Sequence, residues 1–127
     1  MLFRSALHEI DIRVVASDVS EALVDVRADI VLANPPYIAT GSPLPDLVVN
    51  HEPHIALFGG DGDGLDIPRQ FIAAATRILK PGGLLAMEHA ENQGEILEAE
   101  LSSHYRDVKI HQDLNKRNRM VTARKRS

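Results

Sequence analysis

The chain has 127 residues, a length that suits one domain, and its 44% hydrophobic and 25% charged content is ordinary for a folded protein with a core. A formal net charge of −4 argues against a surface given over to gripping nucleic acid; the absence of cysteine excludes disulfides and thiolate metal sites and fits a reducing compartment, so a cytoplasmic protein is expected. No apolar run approaches the roughly 18 residues of a membrane span, and residues 1–7 are too short and too soon charged for a signal peptide, so no membrane partner is expected.

In chain order, residues 12–16 read as a first strand and residues 30–33, an unbroken apolar run, as a second, buried one. Residues 40–64 are rich in Pro, Gly and Asp, with a short apolar patch at Leu47, Val48 and Val49, and read as a long functional loop with at most a helical turn or two. A helix is predicted from Asp66: Pro68 suits its first turn, and Ile67, Phe71, Ile72, Ala75, Ile78 and Leu79 share one apolar face. Pro81, Gly82 and Gly83 are expected to end it. An apolar strand follows at 84–88, then a helix over 93–104 that buries Ile96, Leu97 and Leu101. Next comes a strand around Val108 and Ile110, then a polar loop at 115–118, and a last strand at 120–123. The order β-β-α-β-α-β-β implies an α/β sheet, with no internal repeat and no domain linker, so residues 1–127 read as one unit.

The most informative stretch is Asn34-Pro35-Pro36-Tyr37, directly after the buried strand. Two prolines are poorly suited to continuing a sheet, since proline has no N–H to donate and a fixed φ. They are well suited to holding one side-chain amide and a few backbone carbonyls at the carboxyl edge of a strand, where open α/β sheets bind ligands. Methyl transfer to a planar nitrogen needs such acceptors. The lone pair of an amide or exocyclic amine is delocalised, and accepting its N–H bonds orients the –NH2 group and pushes the lone pair toward an incoming methyl. On this reading Asn34 and the Pro35 carbonyl are the catalytic acceptors, while Pro36 and Tyr37 shape the substrate pocket. Tyr37 can pack on the planar target or face a sulfonium. As a bare dipeptide, Asn-Pro would only begin a turn.

Asn34-Pro35-Pro36-Tyr37-Ile38 resembles the signature of amino-methyltransferases that use S-adenosylmethionine. Later landmarks are similar to the HemK/PrmC type, the release-factor glutamine methyltransferases: Glu52-Pro53-His54-Ile55-Ala56-Leu57 followed by residues 59–65, Leu79-Lys80-Pro81-Gly82-Gly83 followed by residues 84–89, Gln93-Gly94, and Asp113-Leu114 through Arg119. The likeness spans about residues 11–125. It implies a Rossmann-like class I methyltransferase sheet, S-adenosylmethionine as cofactor, and peptide chain release factors as partners, methylated at the glutamine side chain of a Gly-Gly-Gln tripeptide. The signature alone also fits adenine methyltransferases acting on nucleic acid, which use the same amide logic on a flipped base. The low aromatic content of 4% and the acidic charge speak against that alternative.

One departure from the family stands out. There is no glycine before Gly41, hence no glycine-rich loop to hold the methionine and ribose of the donor. Asp18 lies 16 residues before Asn34, the spacing of the family's third strand, so the resemblance assigns Asp18 and Val19, with Asn34, to cofactor binding beside the adenine. The chain thus reads as the later part of a catalytic domain truncated on its N-terminal side, incomplete or inactive alone. The third alternative is therefore a non-catalytic fragment. Without the family's first two strands, residues 30–33 would expose an apolar edge, and either residues 13–16 move in beside it or another chain covers it.

The remaining polar clusters invite plain readings. Residues 61–66 mimic a calcium loop, but Leu65 and Ile72 fall where oxygen ligands belong, so a flexible acidic turn is expected. His51 and His54 read as solvated loop residues rather than metal ligands, leaving no metal site, and Glu52 as a structural carboxylate. Glu88 is read either as lining the site or as capping the next helix. Arg117, Arg119, Arg124, Lys125 and Arg126 read as a solvated strand and tail, with a weak nucleic-acid contact as the minor reading.

Overall fold

The computed structural model describes residues 2–4, 10–19, 21–42, 57–60 and 62–127. β1 (Leu2–Arg4) and β2 (Asp11–Arg13) form a small antiparallel pair, followed by a short 3-10 turn at Glu21–Leu23. β3 (Ala28–Ala33) is an edge strand of the main sheet. β4 (Ile38–Ala39) and β5 (Phe58–Gly60) make a short parallel pair beside it. Then come α1 (Asp66–Ile78), β6 (Leu79–Glu88), a 3-10 turn at Glu91–Gln93, α2 (Gly94–Leu101), β7 (Tyr105–Gln112) and β8 (Asn118–Lys125). The main sheet has the order β3-β6-β8-β7, with β3 and β6 parallel and β8 antiparallel to both its neighbours.

Side-chain alternation decides what the sheet covers. Val31 and Ala33 stand beside Leu85 and Met87, which stand beside Ala123 and Val121. This face packs against Phe71, Ile72 and Ala75 of α1 and Leu97 and Leu101 of α2, with Tyr105 closing the end. Leu85, Met87, Leu97, Val121 and Tyr105 are almost wholly buried, and full burial of such side chains is worth roughly 1.5–3 kcal/mol each. The opposite face carries Ile30, Leu32 and Met120, which remain 57%, 78% and 39% exposed. The Tyr105 hydroxyl is satisfied by Thr76 Oγ1 at 2.9 Å.

Several boundaries differ from the sequence reading, for physical reasons. Pro81, Gly82 and Gly83 do not end the helix. It stops at Ile78, and β6 starts at once with a bulge: Ala28 pairs with Leu79 but Ile30 pairs with Leu84, so the excess residues loop out, with Gly82 at φ 80°. The loop expected over 40–64 contributes β5. The first strand is shorter than residues 12–16 and pairs with β1, so residues 13–16 do not move in beside β3; among the described residues no strand pairs its outer edge. The second helix starts as a 3-10 turn, ends at Leu101, and leaves Ile96 39% exposed rather than buried. Leu47, Val48, Val49, His51, Glu52, His54 and Asp61 lie outside the described residues.

Candidate functional site

β3 and β6 run parallel, so their carboxyl ends open on the same rim, and Ala33 pairs with Met87. The next residue on each strand path is polar or acidic: Asn34 beyond β3, and Glu88 at the end of β6. Asn34 is exposed and Pro35 beside it is fully buried, so a rigid, anchored ring holds the backbone that presents the amide. Asn34, Pro35, Pro36, Tyr37, Ile38, Leu57 and Glu88 together line a cavity of about 160 Å³. Asn34 therefore sits at the sheet's carboxyl rim and not in the core. Of the two readings left open for Glu88, lining the site is the one realised.

Electrostatics in the cavity are set by one relay. The Tyr37 hydroxyl donates to Glu88 Oε1 at 2.8 Å. Burial, then the hydrogen bond and charge of Glu88, push the Tyr37 phenol above its ordinary pKa, against the opposing pull of the Arg119 guanidinium. Arg119 in turn reaches Asp113 at 3.4 Å. Asp113 accepts the backbone N–H groups of Arg117 and Asn115, which hold its carboxyl below the usual range.

The loop is fixed by a residue whose role sequence reasoning missed. The buried Gln93 donates from Nε2 to the Tyr37 carbonyl at 2.7 Å and to the Asp63 carbonyl at 2.8 Å, and its Oε1 accepts the Ala90 N–H at 2.9 Å. One amide thus ties three segments together, with both N–H donors and one oxygen lone pair in use. Two glycines permit the close approach: a Cβ on Gly59 would strike the carbonyl oxygens of Gly64 and Pro36, and one on Gly64, at φ 74°, would strike the Tyr37 carbonyl. The calcium-like run is no loose turn at Asp63. Its carboxylate accepts the Leu65 N–H at 3.0 Å and pairs with Arg69 at 2.8 Å, and Arg69 also grips Glu100. The basic end is likewise used internally: Arg124, Lys125 and Arg126 donate to the carbonyls of Gly82, Leu79 and Ser102.

Asp18 and Val19 lie elsewhere. With Glu21, Val24, Gln70, Ala73, Ala74 and Arg77 they line a cavity of about 500 Å³ against α1. Its chemistry fits an adenosine: small apolar walls from Val24, Ala73 and Ala74 for a flat ring, and carboxylates at Asp18 and Glu21 for amino and hydroxyl donors. Among the described residues it shares no lining residue with the Asn34 cavity. The structure therefore brings Asn34, Pro35, Pro36 and Tyr37 together, but not with Asp18 and Val19. Among the described residues no helix is long and apolar enough to cross a membrane.

A mixed sheet of this order, with an Asn-led corner at the carboxyl rim of its parallel strands, is consistent with the Rossmann-like α/β fold of class I methyltransferases. Comparison with known sequences narrows the class. The chain is 42% identical over 106 residues to the release factor glutamine methyltransferase of Xylella fastidiosa strain 9a5c, covering 82% of this chain and 38% of that protein. It is 39% identical over 110 residues to that of Streptomyces coelicolor (80% and 37%) and 47% identical over 79 residues to that of Bifidobacterium longum (61% and 27%). No family model matches the chain. The chain is a relative of the release factor glutamine methyltransferases, the HemK/PrmC type, and spans about a third of the length of the curated relatives it matches.

Proposed function

We propose that this chain carries the amide-holding half of an S-adenosylmethionine-dependent glutamine N5-methyltransferase acting on the Gly-Gly-Gln tripeptide of peptide chain release factors. The observation that carries this reading is the seating of Asn34 with Tyr37 and Glu88 around one small cavity at the carboxyl ends of two parallel strands. Asn34 Oδ1 and the Pro35 carbonyl accept the two N–H bonds of the glutamine amide, orient the –NH2 group and localise its lone pair. Pro36 and Tyr37 wall the pocket, and Gln93 holds the Tyr37 carbonyl so that the acceptors are in place before substrate arrives. The donor, when bound, supplies an electrophilic methyl on a sulfonium. Asp18 and Val19 would hold its adenosine end, and Asn34 would face its reactive end. The named substrate of the relatives and the lack of cysteine support a cytoplasmic enzyme of protein methylation.

The test is direct. With a Gly-Gly-Gln peptide carrying 15N in the glutamine side chain, adding the protein is expected to shift both side-chain N–H resonances, and Asn34→Ala is expected to abolish the shifts. Unshifted resonances with the wild-type chain would remove the cavity from the reading.

A further inference from the structure

The amide-holding reading leaves a selectivity problem. Glutamate has the shape of glutamine, with –O⁻ in place of –NH2, and a pocket that merely fits the shape would accept both. The polar lining of the Asn34 cavity comprises the Asn34 amide, the Tyr37 phenol and the Glu88 carboxylate. The Tyr37 hydrogen is committed to Glu88 Oε1 at 2.8 Å and is not offered to a ligand. The nearby cation, Arg119, is not among the lining residues, and it faces the Tyr37 hydroxyl and Asp113. Among the described residues, the cavity wall therefore carries a carboxylate and no cation.

We infer that Glu88 is a specificity-determining residue that admits a primary amide and excludes a carboxylate from the Asn34 cavity. An –NH2 group meets acceptors, whereas a –COO⁻ group meets a like charge at close range in a small, partly desolvated space. A site built to bond an N–H rejects the analogue lacking it by large factors, because its own acceptors are left unpaired. Tyr37 sets the position of Glu88: its donated hydrogen bond fixes one carboxylate oxygen on the strand end and leaves the second oxygen as the acceptor.

This inference rests on the amide-holding reading, and the test separates the two. Calorimetry at pH 7 compares end-blocked Gly-Gly-Gln and Gly-Gly-Glu peptides with the wild-type chain and with Glu88→Gln. The variant keeps an oxygen that accepts the Tyr37 O–H, so a purely structural role for Glu88 would leave the preference intact. Wild type is expected to prefer the glutamine peptide by at least about 30-fold, and Glu88→Gln to reduce the preference below about 3-fold, chiefly by admitting glutamate. A variant that still rejects glutamate overturns the role of Glu88 while leaving the amide-holding reading intact. Wild type that binds both peptides alike overturns the inference as well. Wild type that binds neither overturns both. Should Glu88→Gln fail to fold, the wild-type chain decides through a third peptide bearing the glutamate methyl ester, neutral but without N–H. Binding at least about 5-fold tighter than the glutamate peptide supports charge exclusion, and binding no tighter overturns it.

Discussion

At the scale of single residues, the cavity works through groups whose partners are already assigned. Asn34 presents an amide at the rim, while Tyr37, Glu88 and Gln93 are tied to one another or to the backbone. The chain has two tyrosines, and burial raises both: Tyr37 through burial and then Glu88, Tyr105 through burial against a smaller opposing pull from its bond to Thr76. The folded pKa values lie above the ordinary value of 10.0. The corresponding stability is thus fully present below pH 10 and is lost as pH rises through the folded values, because unfolding then releases protons. Spectrophotometric titration is expected to show a tyrosinate midpoint above pH 10, with chemical stability falling as pH rises through it. A midpoint at or below pH 10 for both tyrosines of the folded protein would contradict the buried relay. Asn34 was legible in the sequence because a polar residue between an apolar run and two prolines has few structural explanations. Gln93 was legible only as a landmark of the resemblance. Its carbonyl partners at Tyr37 and Asp63 stand 56 and 30 residues away, and no local pattern encodes a hydrogen bond across such separations.

At the scale of elements, period and composition recovered what is local. The apolar face of α1 and the existence of β3 follow from spacing, and the structure retains them; the burial expected of residues 30–33 is not realised, because only the Val31 and Ala33 side packs on the core while Ile30 and Leu32 stay exposed. What was illegible depends on pairing. Pro81-Gly82-Gly83 reads as a helix stop in isolation, yet the helix ends earlier and the tripeptide becomes a bulge in β6, because Leu79 already pairs with Ala28. β5 was hidden because two of its three residues are glycines, which are depleted in strands; Gly59 is required by the Gly64 and Pro36 carbonyls packed against it, and Gly60 by its φ of 113° beside the Asp66 side chain. β3 has the sharpest consequence. Its outer edge has no partner strand among the described residues, and Ile30 and Leu32 are exposed on it. Such an edge is a template for pairing. Antiparallel pairing of two copies about Val31 would set Ile30 opposite Leu32 and Asp29 opposite Ala33, with no like-charge clash. Sedimentation is expected to show self-association that rises with concentration and disappears in Leu32→Lys. A wild-type chain that stays monomeric at every concentration, or a variant that associates equally, would contradict this.

At the scale of the whole molecule, the proposed reaction would be divided between two cavities. The larger one against α1 is the proposed seat of the donor's adenosine and the smaller one at the rim that of the amide, and among the described residues they share no lining residue. The fold class was legible as a whole because strands and helices alternate, and the site was legible at its amide end. The donor end rests on Asp18 and Val19 alone, since no glycine precedes Gly41. The central claim is that Asn34 holds the amide that is methylated. Its most direct test is transfer of tritiated methyl from S-adenosylmethionine, at saturating donor, to the glutamine of a release factor by an intact enzyme that carries this chain together with a glycine-rich donor loop. The expected result is transfer by the intact wild-type enzyme that falls at least about 100-fold in Asn34→Ala, the scale of losing one preorganised charge-stabilising contact. Transfer at near wild-type rate by the variant would contradict the account.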